Sequence, residues 1–423
     1  MMISKEKFNL INNWLLILIL STIFFRAFST ILIFVFGIFN ILHYKYLTFN
    51  KKIIPFFLVL AVPFLLEIVF LWNNLDSPKI FKPLEKVLSF LIFPLFITLN
   101  YKGYKYYYIA DWYRKVSTFL IVILMIRFCI ISPEYVNKYI NGIHLWEMGY
   151  VFANSFGNHA PAVNMNIAFV VVLNLFFMLK NYPKTKVYNL VLLMASIISL
   201  FIINTRLSLG SCILCCLIVV IWFAYRKYKI RSIYFIGVFT IVTSLILVIA
   251  FISNPYMKEK YSKVTFANMD KIGKLDEVEN PDGVLHNALV TRVSIWKSTI
   301  ELGNNSFFTG VGSANAKQAL FNYFELTNQK FLSKYEFPVH NQFLDYFLRF
   351  GIIGFISLIF YFGYMLKLSL ASKNIIGISF VLNFFLSNLF DDFLIRFDGI
   401  LFSAIWFSLI VVFYLDRIQD EVK

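Results

Sequence analysis

Runs of 16–20 apolar residues recur along this chain, separated by short polar segments. Wound as a helix, a run of that length crosses the roughly 30 Å hydrocarbon core of a bilayer. The pattern predicts twelve spans, near residues 9–25, 27–43, 53–72, 86–100, 116–132, 160–179, 188–204, 208–225, 233–253, 350–368, 374–390 and 399–415. One stretch breaks it: residues 254–340 are polar, charged and long. The chain therefore divides into nine spans (1–253), a large loop (254–340) and three spans (341–423). The expected fold class is all-α, a polytopic membrane protein of about 12 transmembrane helices with one large, partly helical loop. The loop falls between spans nine and ten and no internal repeat is visible, which argues against a transporter built from two equal halves.

The loop carries helix signals of its own. Val293, Trp296 and Ile300 stand at 3–4 spacing, predicting a helix from Val290 to Leu302 with Gly303 as its stop. Phe308-Thr309-Gly310-Val311-Gly312 reads as a turn. Ser313 is placed to cap a second helix through about Glu325. Residues 255–289 are charged and irregular, and are expected to be mobile. A second polar segment, 133–159, ends in Phe156-Gly157-Asn158-His159, just before Pro161 opens the sixth span.

Composition agrees with the pattern. Hydrophobic residues make up 59% of the chain and charged residues 15%, which excludes an ordinary soluble domain. The net charge of +16 would suggest nucleic acid in a soluble protein. Here Lys and Arg gather on alternate short segments, among them Lys45, Lys51 and Lys52, then Lys102, Lys105, Arg114 and Lys115, then Arg226, Lys227, Lys229 and Arg231. That is the cytoplasmic bias of a membrane protein; it sets both termini inside, places 254–340 outside, and leaves no reason to expect a nucleic-acid partner. Lys5 and Lys7 precede the first apolar run as in a signal peptide, but no small-x-small site follows and Arg26 comes next, so an uncleaved first span is expected. Cys129, Cys212, Cys215 and Cys216 all lie in apolar runs; the last three, spaced like a metal motif but without a His or carboxylate beside them, read as packing residues.

Few residues are left to carry chemistry. His340 stands where the loop meets the tenth span, the place of a helix-capping histidine and equally of a general base acting on a sugar hydroxyl. After it, Gly351 and Gly354 allow close backbone packing at the start of the span. Arg206 ends the tight turn Asn204-Thr205-Arg206; it is either a snorkelling arginine or a bidentate clamp on a lipid phosphate. Arg292, one turn before Trp296, suits a surface ion pair or a second phosphate ligand. Glu67 lies inside the third span with no identifiable partner. Asp391-Asp392 invites a metal, but nothing in the sequence supplies further ligands, so a solvated loop or a partner for Arg396 is expected instead.

In these residues the sequence resembles the O-antigen ligase and O-antigen polymerase superfamily of bacterial envelope proteins. The resemblance rests on His340-Asn341, nine residues, then Gly351-x-x-Gly354; on Arg292-x-x-x-Trp296 followed by Thr309-Gly310-Val311-Gly312; on Arg292, ten residues, then Gly303; on the arginine turn at Arg206; and on Gly157-Asn158-His159. It covers about residues 150–360, and departs from the family after Arg206, where Leu207-Ser208-Leu209-Gly210 replaces a run of small residues. The resemblance implies an enzyme of the inner membrane whose large loop is periplasmic. Its donor would be a glycan on undecaprenyl diphosphate and its acceptor a hydroxyl of lipid A core or another glycan, with membrane lipids around it. His340 would be the base, Arg206 and Arg292 would bind the diphosphate, and Asn341 and His159 would line the substrate site. No metal or cofactor is implied. A polymerase joining repeat units uses the same chemistry; a flippase for the same lipid-linked glycan is the reading from a different class.

Overall fold

The computed structural model describes residues 3–75, 77–143, 145–181, 186–228, 237, 266–285 and 288–422. The chain is helical, with no strand among the described residues. It opens with α1 (Lys5–Ser21) and α2 (Arg26–Leu42), the bent pair α3 (Ile54–Leu60) and α4 (Val62–Val69), the short α5 (Lys82–Lys86), and α6 (Ser89–Leu99). Next come α7 (Tyr106–Ile131), α8 (Pro133–Ile140), α9 (Leu145–Asn154), α10 (Ala160–Lys180), α11 (Lys186–Ile203) and α12 (Arg206–Tyr228). The loop contributes α13 (Leu289–Asn304), α14 (Ala316–Leu326) and α15 (Lys330–Tyr335), and the chain closes with α16 (Gln342–Ala371), α17 (Ile375–Phe390) and α18 (Phe397–Val422).

Eleven of the twelve expected spans fall on helices; the ninth, 233–253, and the loop up to residue 265 lie outside the described residues. Among the described residues, α10, α12, α16 and α18 are long and apolar enough to cross a membrane by themselves, and six spans result if each bent pair counts as one. By length and composition four to six crossings stand out among the described residues, and the shorter apolar helices α2, α6, α11 and α17 coincide with further expected spans. The bends have local causes. The α3/α4 pair turns by 72° at Ala61, where Pro63 removes a helical donor, and α7 turns by 96° into α8 at Pro133.

The core sits on α10 and α18. Their apolar windows are 89% and 78% buried, the burial expected of helices that are hydrophobic all round. Phe169, Phe380 and Trp406 meet at ring separations of 4.9–5.8 Å and join α10, α17 and α18. Cys212 and Cys215 pack as expected, buried with their thiols at the carbonyls of Ala168 and Ser379, whereas Cys129 is exposed. In the run after Arg206 the small residues that remain do the packing, since Ser208 is buried and Ser211 donates to Asn383 of α17 at 2.8 Å.

The loop folds as a helical cap with a small core of its own, including Leu285, Val290, Ile295, Leu320, Phe324 and Leu348 of α16. Its helices occur where the pattern predicts, with three corrections. The buried face of α13 is Val290, Thr291, Ser294, Ile295, Ser298 and Thr299 rather than the Val293–Trp296–Ile300 stripe. Hydroxyls can line that face because Ser294 and Thr299 donate to carbonyls one turn back, at 2.8 Å. Gly303 does not stop the helix, which runs to Asn304; it lets the helix approach the Phe347 ring. Ser313 caps nothing, since its hydroxyl donates to Glu67 at 2.5 Å and α14 begins after Asn315.

Cap and bundle lock together at Gly351. This residue interrupts α16 with φ +64°, and a Cβ there would overlap the backbone of Phe307 and Phe308. The backbone groups released by the break are satisfied by the Phe307–Gly312 turn. Ile352 N–H donates to Phe307 O at 2.8 Å, while Leu348 O and Arg349 O accept from Val311 and Gly312 at 2.8 and 3.1 Å. Beneath the turn, Arg349 pairs with Asp345 at 2.6 Å and Asn73 donates to the carbonyls of Thr309 and Gly310. Glu67, partnerless in sequence, therefore belongs to a buried polar cluster that ties the α4 end to the cap.

Candidate functional site

His340 sits in the turn between cap and bundle, and its neighbours on both sides are fixed. The Val339 carbonyl accepts from the Trp296 indole N–H at 3.1 Å. Asn341 is the N-cap of α16, its side-chain oxygen accepting from Phe343 and Leu344 at 3.0 and 3.1 Å. His340 itself has φ +52°, a left-handed conformation costly for a branched, non-glycine residue. It is not the cap. Its ring instead faces the end of α17, with Nδ1 3.4 Å from Asp391 Oδ1.

Asp391 and Asp392 form the centre of the site. Both are buried, so the expectation of a solvated loop is overturned, whereas the pairing with Arg396 holds. The Arg396 guanidinium lies 3.1 Å from Asp391 and 3.0 Å from Asp392. His159 approaches from the start of α10, its Nδ1 3.8 Å from Asp391 Oδ2. Burial alone would raise the Asp391 carboxyl; the hydrogen bond from His340 and the Arg396 guanidinium outweigh it and hold the group well below the ordinary carboxylate range. Burial and the adjacent Asp391 charge instead push Asp392 up to about 6. The His159 side chain is 40% exposed, yet its Nδ1 is buried; that burial and the nearby Arg396 charge lower its pKa and keep it neutral at pH 7.

Ligand atoms of His340, Asp391 and Asp392 lie within 4.8 Å of one another, so the sequence expectation that no further ligand joins the acid pair is also corrected. Arg396 already supplies a cation to both carboxylates, and the cluster is an ion-pair network as it stands.

The two predicted arginines stand at the starts of α12 and α13. Asn204, at φ +52°, closes the turn before α12, and Asn164 of α10 pins it by donating to Thr205 at 2.8 Å. That sets Arg206 as the first residue of α12. Arg292 lies on α13 one turn before Trp296, whose ring packs 6.0 Å from Phe390 at the end of α17. Burial raises the pKa of Tyr150 on α9, and Arg292 and Arg206 both pull it back, so both guanidiniums act on one phenol. The Tyr150 ring stands 6.3 Å from His159. His159 and His340 thus face Asp391 directly, Arg206 and Arg292 act electrostatically on Tyr150 beside His159, and Asn341 caps the adjoining helix. Sequence reasoning missed Tyr150 and ranked Asp391 and Arg396 too low; an acid pair followed by an arginine, between two apolar runs, was the available signal.

From this centre a groove of about 780 Å³ runs between α2 and α6. Arg26, Lys82, Lys86, His159 and Arg396 line one part of it, and Ile33, Phe34, Ile38, Ile41, Ile92 and Phe96 line another. Arg26 is held there against the Phe397 ring, 5.5 Å from its centroid.

Residues 190–359, 170 of the chain's 423, match the family model described as O-antigen ligase. The resemblance to the O-antigen ligase superfamily stands. The matched segment includes Arg206, Arg292, His340, Asn341, Gly351 and Gly354, and ends before Asp391 and Arg396. No curated protein matches the chain. Its apolar helices, together with that match, mark it as an integral membrane protein.

Proposed function

We propose that this chain transfers a glycan from undecaprenyl diphosphate to an acceptor hydroxyl on the periplasmic face of the inner membrane, with both termini cytoplasmic and twelve spans around the site. The observation that carries the reading is His340 Nδ1 facing the buried Asp391 carboxylate, and the electrostatic pull of Arg206 and Arg292 on Tyr150 beside His159 supports it. An Nδ1–H donated to Asp391 leaves Nε2 with its lone pair, the tautomer a general base needs. The acceptor O–H gives its proton to Nε2 while the oxygen attacks the anomeric carbon. The bond from that carbon to the diphosphate oxygen breaks, and its electron pair leaves with the diphosphate. Guanidiniums bind that leaving group bidentately and carry its developing charge. Asp391 favours the imidazolium as it forms, and Arg396 keeps Asp391 ionised.

The test is His340→Ala in the intact membrane protein: transfer is lost while the protein level in the membrane is unchanged. Full activity in that variant removes the base assignment. A strain lacking the chain also reads the acceptor. Long glycans stranded on the carrier mark a ligase, single repeats attached to core mark a polymerase, and carrier-linked glycan trapped on the cytosolic face marks a flippase.

A further inference from the structure

The α2–α6 groove has the build of a site for one amphiphile. On α2, Arg26, Thr30, Ile33, Gly37 and Ile41 follow at three- and four-residue steps, a single helical face with Ile38 beside it. From Arg26 to Ile41 that face runs for about 22 Å, roughly three-quarters of the hydrocarbon thickness of a bilayer. Four cations line the groove, Arg26, Lys82, Lys86 and Arg396, against the two acids Glu85 and Asp398. A cationic part joined to a long apolar face fits an anionic head on a long hydrocarbon tail. Resting on the proposed transfer reaction, we infer that this groove seats the isoprenoid tail of the lipid diphosphate donor, and that Gly37 sets its width.

Gly37 is the residue on which this turns. Lipid tails are as apolar as the groove, so burial gives little preference and shape must select the occupant. A Cβ built on Gly37 meets no atom within 4 Å, so its missing side chain is space in the groove rather than a packing contact. A mid-helix glycine costs about 1 kcal/mol relative to alanine, which nothing in the packing of α2 requires. A larger residue there fills the groove while helping the helix, which separates loss of binding from loss of folding.

The experiment uses the full chain in nanodiscs with two photoreactive probes, a long-chain isoprenyl diphosphate and a phosphatidylglycerol. The inference expects the isoprenyl probe to label α2 and α6, with unlabelled isoprenyl diphosphate competing and phosphatidylglycerol failing to compete. Gly37→Leu should cut that labelling about tenfold, a difference of about 1.4 kcal/mol, while Gly37→Ala keeps most of it. Equal labelling by both probes means that ordinary membrane lipid fills the groove and overturns the inference. Competed labelling that maps elsewhere, or persists in Gly37→Leu, also overturns it but leaves the transfer reaction standing. No competed labelling anywhere overturns both.

Discussion

Replacing Asp391 by Asn removes one charge and almost no volume from the centre of the site. The carboxylate faces His340 Nδ1 across 3.4 Å. At an effective dielectric near 20, an imidazolium at that distance gains roughly 5 kcal/mol from the anion. Arg396, 3.1 Å from the same oxygen, cancels a large part. If half survives, the transition state loses about 2–3 kcal/mol, or roughly 30- to 150-fold in rate. Asparagine adds a second penalty, since its amide can donate to Nδ1 and favour the tautomer whose Nε2 carries the proton. The expected result is therefore a fall in kcat of at least about 30-fold. Donor KM should not rise, because Arg206 and Arg292 are untouched and loss of the Asp391 charge frees Arg396 for the diphosphate. The assay is transfer from carrier-linked glycan by the purified protein in nanodiscs, at matched protein levels. A kcat within about threefold of the parent, a barrier change under 1 kcal/mol, refutes the pairing of Asp391 with the base.

Asp392 predicts a pH effect. Its folded value near 6 lies above the ordinary 3.8, so its contribution to stability is present below the ordinary value and is lost as pH rises through about 6. Asp392→Asn should flatten that part of the melting-temperature profile between pH 4 and 7; an unchanged profile contradicts the assignment. Gly351→Ala meets both left-handed strain and the Phe307–Phe308 backbone, and should cost about 2–4 kcal/mol. It should also open the cap to protease, and a normal melting temperature with a protected cap would count against the locked joint. Asn341→Asp keeps a cap acceptor, so it should retain both stability and transfer, whereas Asn341→Ala should lose about 1 kcal/mol. Loss of transfer in Asn341→Asp at normal stability would give Asn341 a direct part in substrate binding.

Helix positions were legible because apolar runs report them directly, and α10 and α18 show why. Their residues are apolar on every face, and burial on every face is what the fold delivers. What a periodicity cannot report is which partner a face meets. On α13 the eye follows Val293, Trp296 and Ile300, yet the buried side carries four hydroxyl residues that satisfy themselves on the helix's own backbone or, for Thr291 and Ser298, on Leu285 and Gln329. A break inside a span escapes the pattern for a related reason. α3 and α4 share one apolar run, but Pro63 breaks it into pieces too short to cross separately.

The site divides along the same line. His340, Arg206 and Arg292 were visible because each is a lone polar residue in a setting that makes it conspicuous. Asp391 and Arg396 were discounted because a charged pair beside a span usually faces water, and sequence carries no sign of burial. Burial reverses their meaning. A carboxylate that one arginine and one histidine must share cannot relax into solvent, so any change at Arg396 is felt at His340 through Asp391. Arg396 also lines the groove. A diphosphate that drew Arg396 away from Asp391 would leave that carboxylate to the histidine alone and strengthen the base. Donor binding and base activation would then be two effects of one guanidinium.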